Sequence, residues 1–341
     1  MSSSKMKRGP LPIEDEVTVN LTGGDADAVP SSKVSNGAMV REVPAVPAER
    51  LRVNKAYKMY VAGAFVRSES GRYFQVRADT KTTPDPETVN LPRGSRKDAR
   101  DAVLVARNAW ESWAARTAYN RGQILYRLAE VMEARRDELT QSLVRGGEGA
   151  KSAATEVDCA IDRAIFYAGF CDKYQALLAS SNPVSGPHFG FSVPESMGVV
   201  AVIAPERPAL LGLVSTVLPV IATGNTTVVV SGEADPRTAI VLCECLATSD
   251  VPGGVVNVLT GKASEIAPHL AKHREVIAID AWSSDGALRE ALEREGSENV
   301  KRVKAHAPLA PAAWLDDRKG QGLGWLEKFI ETKTIWHPVG I

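Results

Sequence analysis

The chain has no surplus of charge of either sign: 41 lysines and arginines balance 41 aspartates and glutamates over 341 residues. A nucleic-acid binder normally carries a basic excess, and an acidic solvating chain the opposite, so neither is expected. Long apolar runs are missing too. A membrane helix needs roughly 18 or more apolar residues in a row. The nearest stretch, Pro208–Ala222, is shorter and follows directly on Glu206 and Arg207. The polar N-terminus has no apolar signal core, which points to a cytoplasmic protein. Four cysteines are too few for a disulfide framework. The five histidines are scattered, with no His-x-x-x-His pair and no Ser/His/Asp order, so no metal site is expected. No internal repeat is evident. What remains is 44% hydrophobic and 24% charged residues, an ordinary soluble composition. The length suggests about two domains.

Residues 1–50 hold few large apolar side chains among Gly, Pro and Ser clusters and predict a disordered tail. Order is expected from Tyr57. Tyr57–Val61 and Phe65–Val66 flank Ala62–Gly63, a hairpin signal. Arg72–Val76 reads as another strand. Helical periodicity then predicts three helices: one from Ser95 through Trp110, one from Ala118 to Leu143, and one from Ala153 to Leu178.

From Met197 the pattern changes. Met197–Ala204 and Thr226–Val230 are continuous apolar runs, as strands buried on both faces of a parallel sheet should be. Further strands are expected at 254–259, 276–279 and 300–303. Helices are expected at 208–222, 235–248, 263–272 and 285–296. This alternation predicts an α/β, doubly wound parallel sheet. Its strand carboxyl ends, the usual ligand side, are Ala204–Glu206, Ser231–Glu233, Thr260–Gly261 and Asp280–Ala281.

No Gly-x-Gly-x-x-Gly follows the first sheet strand; the loop reads Ala204–Pro205–Glu206–Arg207–Pro208, so the ordinary pyrophosphate cradle is absent. Cys159, Cys171, Cys243 and Cys245 fall in predicted helices and read as core cysteines. Composition and spacing alone thus describe a nucleotide-binding-like sheet without visible catalytic equipment.

Several segments, in order, resemble the aldehyde dehydrogenase superfamily: Tyr60–Val66, Ala106–Trp113, Arg121–Leu125, Gly198–Pro205, Ala222–Val230, Val251–Gly261 and Glu331–Trp336. That family binds a nicotinamide cofactor without a glycine-triplet loop. The resemblance implies a Rossmann-like cofactor-binding domain over residues 57–306, with 184–197 contributing to an oligomerisation sheet. A linker over 307–324 would stand in place of the catalytic domain, and an oligomerisation strand would follow over 325–341.

The family's site residues map onto Ala204, Pro205, Glu206, Arg207, Val230, Glu233, Gly261 and Asp280. Several are altered. Arg207 stands for the asparagine that holds the oxyanion, and Val230 for the lysine that meets the ribose. Glu233 keeps the ribose-binding glutamate, and Asp280 is expected to face the pyrophosphate with like charge. NAD(P) binding is therefore expected to be weakened, and no cofactor is assured. Where the general-base glutamate should follow, the chain reads Lys304–Ala305–His306–Ala307, and no cysteine lies beyond residue 245. Thiohemiacetal chemistry needs both groups, so no catalytic residue is assigned. The pattern resembles the non-catalytic half of family-16-type aldehyde dehydrogenases.

Three readings follow. The first is a non-catalytic subunit that joins a full-length aldehyde dehydrogenase by strand addition through Phe189, Phe191, Thr332, Thr334 and Trp336. The second is an NAD(P)-dependent oxidoreductase acting on an aldehyde. The third is a nucleotide- or metabolite-sensing module.

Overall fold

The computed structural model describes residues 53–77 and 88–340; the expected tail, residues 1–50, lies outside them. The chain runs through β1 (Met59–Val61), β2 (Ala64–Val66), β3 (Tyr73–Arg77) and β4 (Thr88–Pro92) into α1 (Arg96–Ala114), α2 (Ala118–Ala134), α3 (Arg136–Arg145), α4 (Ala150–Phe170) and α5 (Tyr174–Leu178). Next come β5 (Ser180–Asn182), β6 (His188–Ser196), β7 (Val199–Ile203), α6 (Leu211–Ala222), β8 (Thr226–Val230), α7 (Arg237–Thr248) and β9 (Val256–Leu259). The remainder is α8 (Ala263–Lys272), β10 (Val276–Trp282), α9 (Gly286–Ser297), β11 (Arg302–His306), α10 (Pro311–Leu315), α11 (Asp317–Gly320), α12 (Leu323–Glu327) and β12 (Ile330–Pro338).

Seven strands form the main sheet in the order β11-β10-β7-β8-β9-β1-β2. β7 through β11 are parallel, and the β1–β2 hairpin adds an antiparallel edge. Every residue of β7 and β8 is buried, because helices cover both faces. Val199, Ala201 and Ile203 share one core cluster with residues of α1, α8 and α9, while Val200 and Val202 belong to the other, with residues of α2, α4, α6 and α7. Each fully buried valine or isoleucine contributes roughly 1.5–3 kcal/mol, so the apolar runs seen in the sequence anchor the sheet. The hairpin turn places Ala62 and Gly63 at φ 57° and 78°, as a type I′ turn requires. Asn257 Oδ1 accepts from the Ala62 amide at 3.0 Å and ties the turn to β9. The strand order reverses between β7 and β10, and such a switch point opens a crevice at the strand carboxyl ends.

β12 pairs with β6 along its whole length, and β6 with β5, giving a separate three-stranded antiparallel sheet with β12 at its edge.

Several expected boundaries move. The helix expected over 118–143 breaks at Arg135 (φ −109°, ψ 20°), whose guanidinium binds Glu138 at 2.9 Å and also Glu244 of α7. The helix expected over 153–178 splits into α4 and α5. The last parallel strand lies at 302–306 rather than 300–303, because Val300 takes a left-handed φ of 55° in the turn before it. The stretch expected as a linker, 307–324, instead carries α10, α11 and the start of α12. It is pinned by Arg163 of α4, itself 1% exposed. Arg163 donates to Ser215 Oγ at 2.6 Å, to Trp314 O at 3.0 Å and to Gly320 O. Trp314 is completely buried. The hydrophobic effect of one indole and three guanidinium hydrogen bonds outweigh the Pro-rich local signal.

Candidate functional site

The switch point holds a cleft of about 430 Å³, toward the small end of the range for ligand sites. Ala204–Arg207 after β7, Ser231 and Glu233 after β8, Ala263 and Ser264 of α8, Trp282 at the end of β10 and Ser283–Asp285 after it line it. Pro308, Leu309 and Pro311 close it from the segment after β11.

The cleft's backbone donors are largely occupied by the chain's own carboxylates. Glu206 accepts from the amides of Glu233 (2.7 Å) and Ala234 (3.1 Å). Glu233 reaches across to the first amide of α8, accepting from Ala263 N at 2.6 Å. Asp285 caps α9, accepting from Ala287 N and Leu288 N at 2.9 and 3.2 Å. Just behind the cleft, Glu156 of α4 accepts from Leu210 N and Leu211 N at 2.7 and 3.1 Å where α6 begins. Burial raises the Glu156 carboxyl above the ordinary glutamate value against the pull of those two amides. A helix N-terminus ordinarily offers its amides to a phosphate. Here the carboxylates stand where the anion would, and the one cation among the lining residues, Arg207, is already paired with Glu148 at 2.8 Å. This donor set is poorly matched to a pyrophosphate-linked dinucleotide.

Of the residues singled out from the sequence, Ala204, Pro205, Glu206, Arg207 and Glu233 meet in the cleft. The other three do not line it. Val230 is fully buried in the sheet core. Gly261, at φ 132°, packs so tightly on the Arg93–Gly94 turn that a Cβ would lie 2.9 Å from Gly94 N. Asp280, expected to face a pyrophosphate, is instead enclosed by this chain's own side chains. Completely buried, it binds His306 Nε2 at 2.9 Å and Trp282 Nε1 at 3.1 Å, with Lys328 Nζ at 3.7 Å.

Around Asp280 lies an aromatic cluster that sequence reasoning missed. Trp282 stacks on His306 (4.1 Å between ring centres) and packs against Trp314 and Trp325 (4.9 and 5.7 Å). Lys328 sits 4.1 Å over the Trp325 ring, and burial lowers its pKa despite Asp280. Nothing in local spacing joins residues from β10, β11, α10 and α12. Asp285 had a signal, standing as an N-cap ahead of Leu288 and Leu292.

None of the four cysteines is a ready nucleophile. Burial is the first cause in each: it pushes Cys171 to about 12 and Cys245 to about 11, and raises Cys159 and Cys243 as well. A reactive thiol needs the opposite shift. Among the described residues no cluster of metal ligands occurs, and no helix is long and apolar enough to cross a membrane.

The five residues expected in an oligomerisation sheet share one sheet. Phe191 lies opposite Ile335, Phe189 opposite His337, Thr332 opposite Pro194, Thr334 opposite Ser192 and Trp336 opposite Gly190. The Ser192 and Thr334 hydroxyls are 2.8 Å apart.

Residues 65–308 match the model of the aldehyde dehydrogenase family. DhaS of Bacillus subtilis (strain 168), an aldehyde dehydrogenase by name, is 30% identical over 254 residues, covering 72% of this chain and 49% of that protein. The cytosolic 10-formyltetrahydrofolate dehydrogenase of Mus musculus is 28% identical over 291 residues, covering 83% of this chain and 32% of that protein. The solved structure of HpcC from Thermus thermophilus superposes with a TM-score of 0.68 at 26% identity, over 74% of this chain and 48% of that one. An NAD+ complex of an aldehyde dehydrogenase from Bacillus cereus gives 0.69 at 24% identity, over 74% and 51%; that likeness is one of fold. The chain belongs to the aldehyde dehydrogenase family and spans about half the length, or less, of these relatives.

Proposed function

We propose, from this family membership as premise, that the chain acts as a non-catalytic subunit that assembles with a full-length NAD(P)-dependent aldehyde dehydrogenase. The observation that carries the reading is the edge strand β12. It is nine residues long and exposed from Glu331 to Thr334, and Trp336 is exposed beside it. A long open edge is a template for another chain's strand. The raised cysteines and the carboxylate-filled cleft support a role without chemistry of its own. The 307–329 segment between β11 and β12 also offers no thiol. Weakened NAD(P) binding follows from the same cleft.

Co-expression with a full-length relative tests it. A hetero-oligomer should elute as one species and dissociate in a Phe189→Lys, Trp336→Lys variant. Self-association with no co-purified relative would overturn the proposal. Family membership and the relatives' names favour a second reading, an aldehyde oxidoreductase. Aldehyde-dependent NADH or NADPH formation by the purified chain alone would establish that reading against the first.

A further inference from the structure

We propose that the groove between the first turn of α1 and the last turn of α8 binds a small polyphosphate anion. It encloses about 710 Å³ and is lined by Arg96, Lys97, Arg100, His269, Lys272 and His273. Glu69 is the acidic residue that faces it. The protein is electrically neutral overall, so this concentration of cations is local. The groove is not the cleft of the switch point. That cleft meets the first residue of α8, Ala263, and the groove its last, Lys272, about 14 Å along the helix.

Two features distinguish this groove from other charged parts of the surface. The first is pairing. Lys97 is held by Glu69 at 3.0 Å, Arg100 by Asp101 at 2.8 Å and Lys272 by Glu295 at 3.1 Å. The side chains of Arg96 and His269 have no hydrogen bond or ion pair among the described residues, so the groove retains cationic and donor capacity. Burial depresses the His269 imidazole first, and Arg96 and Lys272 depress it further; both cations therefore bear on the same point. A bound anion would reverse that effect.

The second feature is placement. Arg96 and Lys97 are the first two residues of α1, where the helix dipole disfavours positive charge. The Ser95–Asp98 capping box compensates locally, with Ser95 Oγ accepting from Asp98 N at 3.2 Å and Asp98 Oδ2 accepting from Ser95 N at 2.8 Å. The capping box offsets these two charges without removing them, so the helix start still carries a cationic cost that a bound anion would relieve. Arg96, Lys97 and Arg100 on one wall and Lys272 on the other match a chain of linked phosphates better than a single phosphate.

Calorimetric titration of the full chain with sodium pyrophosphate, at fixed ionic strength, tests the proposal. Saturable one-to-one binding is expected, with orthophosphate and sulfate at least about tenfold weaker. Arg96→Glu and Lys272→Glu should each weaken pyrophosphate about tenfold or more. Arg96→Glu should also leave the melting temperature unchanged or raise it, because a cation leaves the helix start. The His269 pKa, followed by NMR, should rise when pyrophosphate is added. Tripolyphosphate and ATP as further probes separate the sources: equal affinity means the phosphate chain is recognised, tighter ATP a nucleotide. No saturable binding, equal binding of sulfate, or a folded Arg96→Glu protein with wild-type affinity would overturn it.

Discussion

Helix α8 joins two places that look alike on paper and differ in their chemistry. At its N-terminus the cleft has the geometry of an anion site, yet Glu233, Glu206 and Asp285 hold the leading amides. At its C-terminus the groove has no special position in the fold, yet it gathers cations that the chain does not fully neutralise. The fold decides where a crevice forms; the charge and pairing of its side chains decide what enters it. The two ends also differ in depth. The cleft is walled by Trp282, 5% exposed, which packs on the buried Trp314, whereas Arg96 and Lys272 stand in solvent.

The largest expected difference is therefore in stability. Trp314→Ala removes a completely buried indole from the cluster behind the cleft and should cost about 3–5 kcal/mol. Lys272→Ala at the other end should stay within about 0.5 kcal/mol. Urea denaturation of the two variants measures the contrast. Equal midpoints would show that the aromatic cluster does not hold the 307–329 segment.

How much of this contrast is legible in the sequence depends on the range of the interactions. β7 and β8 announce themselves because burial on both faces demands uninterrupted apolar residues. The Ala204–Glu206 loop follows from their ends. Glu206 and Glu233 can be placed at the cleft but not paired, since each carboxylate finds its amide about 30 residues away. Asp280 escapes a local reading for the same reason: in the alternation of β10 it faces the side of Trp282, and its partners His306 and Lys328 lie on later elements. The groove is invisible locally because Arg96 and Lys272 are 176 positions apart in the chain. The break at Arg135 depends on Glu244, on a helix far along the chain.

A smaller effect comes from making the cleft resemble the groove. Glu206→Gln with Glu233→Gln removes two negative charges and keeps one acceptor oxygen at each position, so that Ala263 N and one of the two amides now held by Glu206, Glu233 N and Ala234 N, remain bonded. The charge-assisted bonds weaken, at a cost of about 1–2 kcal/mol in stability. In return the repulsion facing a phosphate falls, and NAD affinity should rise about tenfold by titration. Unchanged affinity would mean that cleft shape, closed by Pro308, Leu309 and Pro311, excludes the cofactor rather than charge.

The smallest effect is the pH response of the groove. His269 and His273 are both held below the ordinary imidazole value of 6.5, with burial as the first cause in each. Arg96 and Lys272 add to the depression at His269, while Glu275 opposes and Lys301 reinforces it at His273. The folded state thus binds fewer protons than the unfolded chain over this window, so stability rises with pH there. The contribution is fully present above pH 6.5 and is lost as pH falls through the depressed folded values. The melting temperature should decline shallowly on acidification from about pH 7, and His269→Asn with His273→Asn should flatten that decline. No histidine lines the cleft, so the Glu206→Gln, Glu233→Gln variant should keep the wild-type slope in the same window. A slope that survives removal of both imidazoles would place the titrating groups elsewhere and would separate the groove's charge from the protein's acid response.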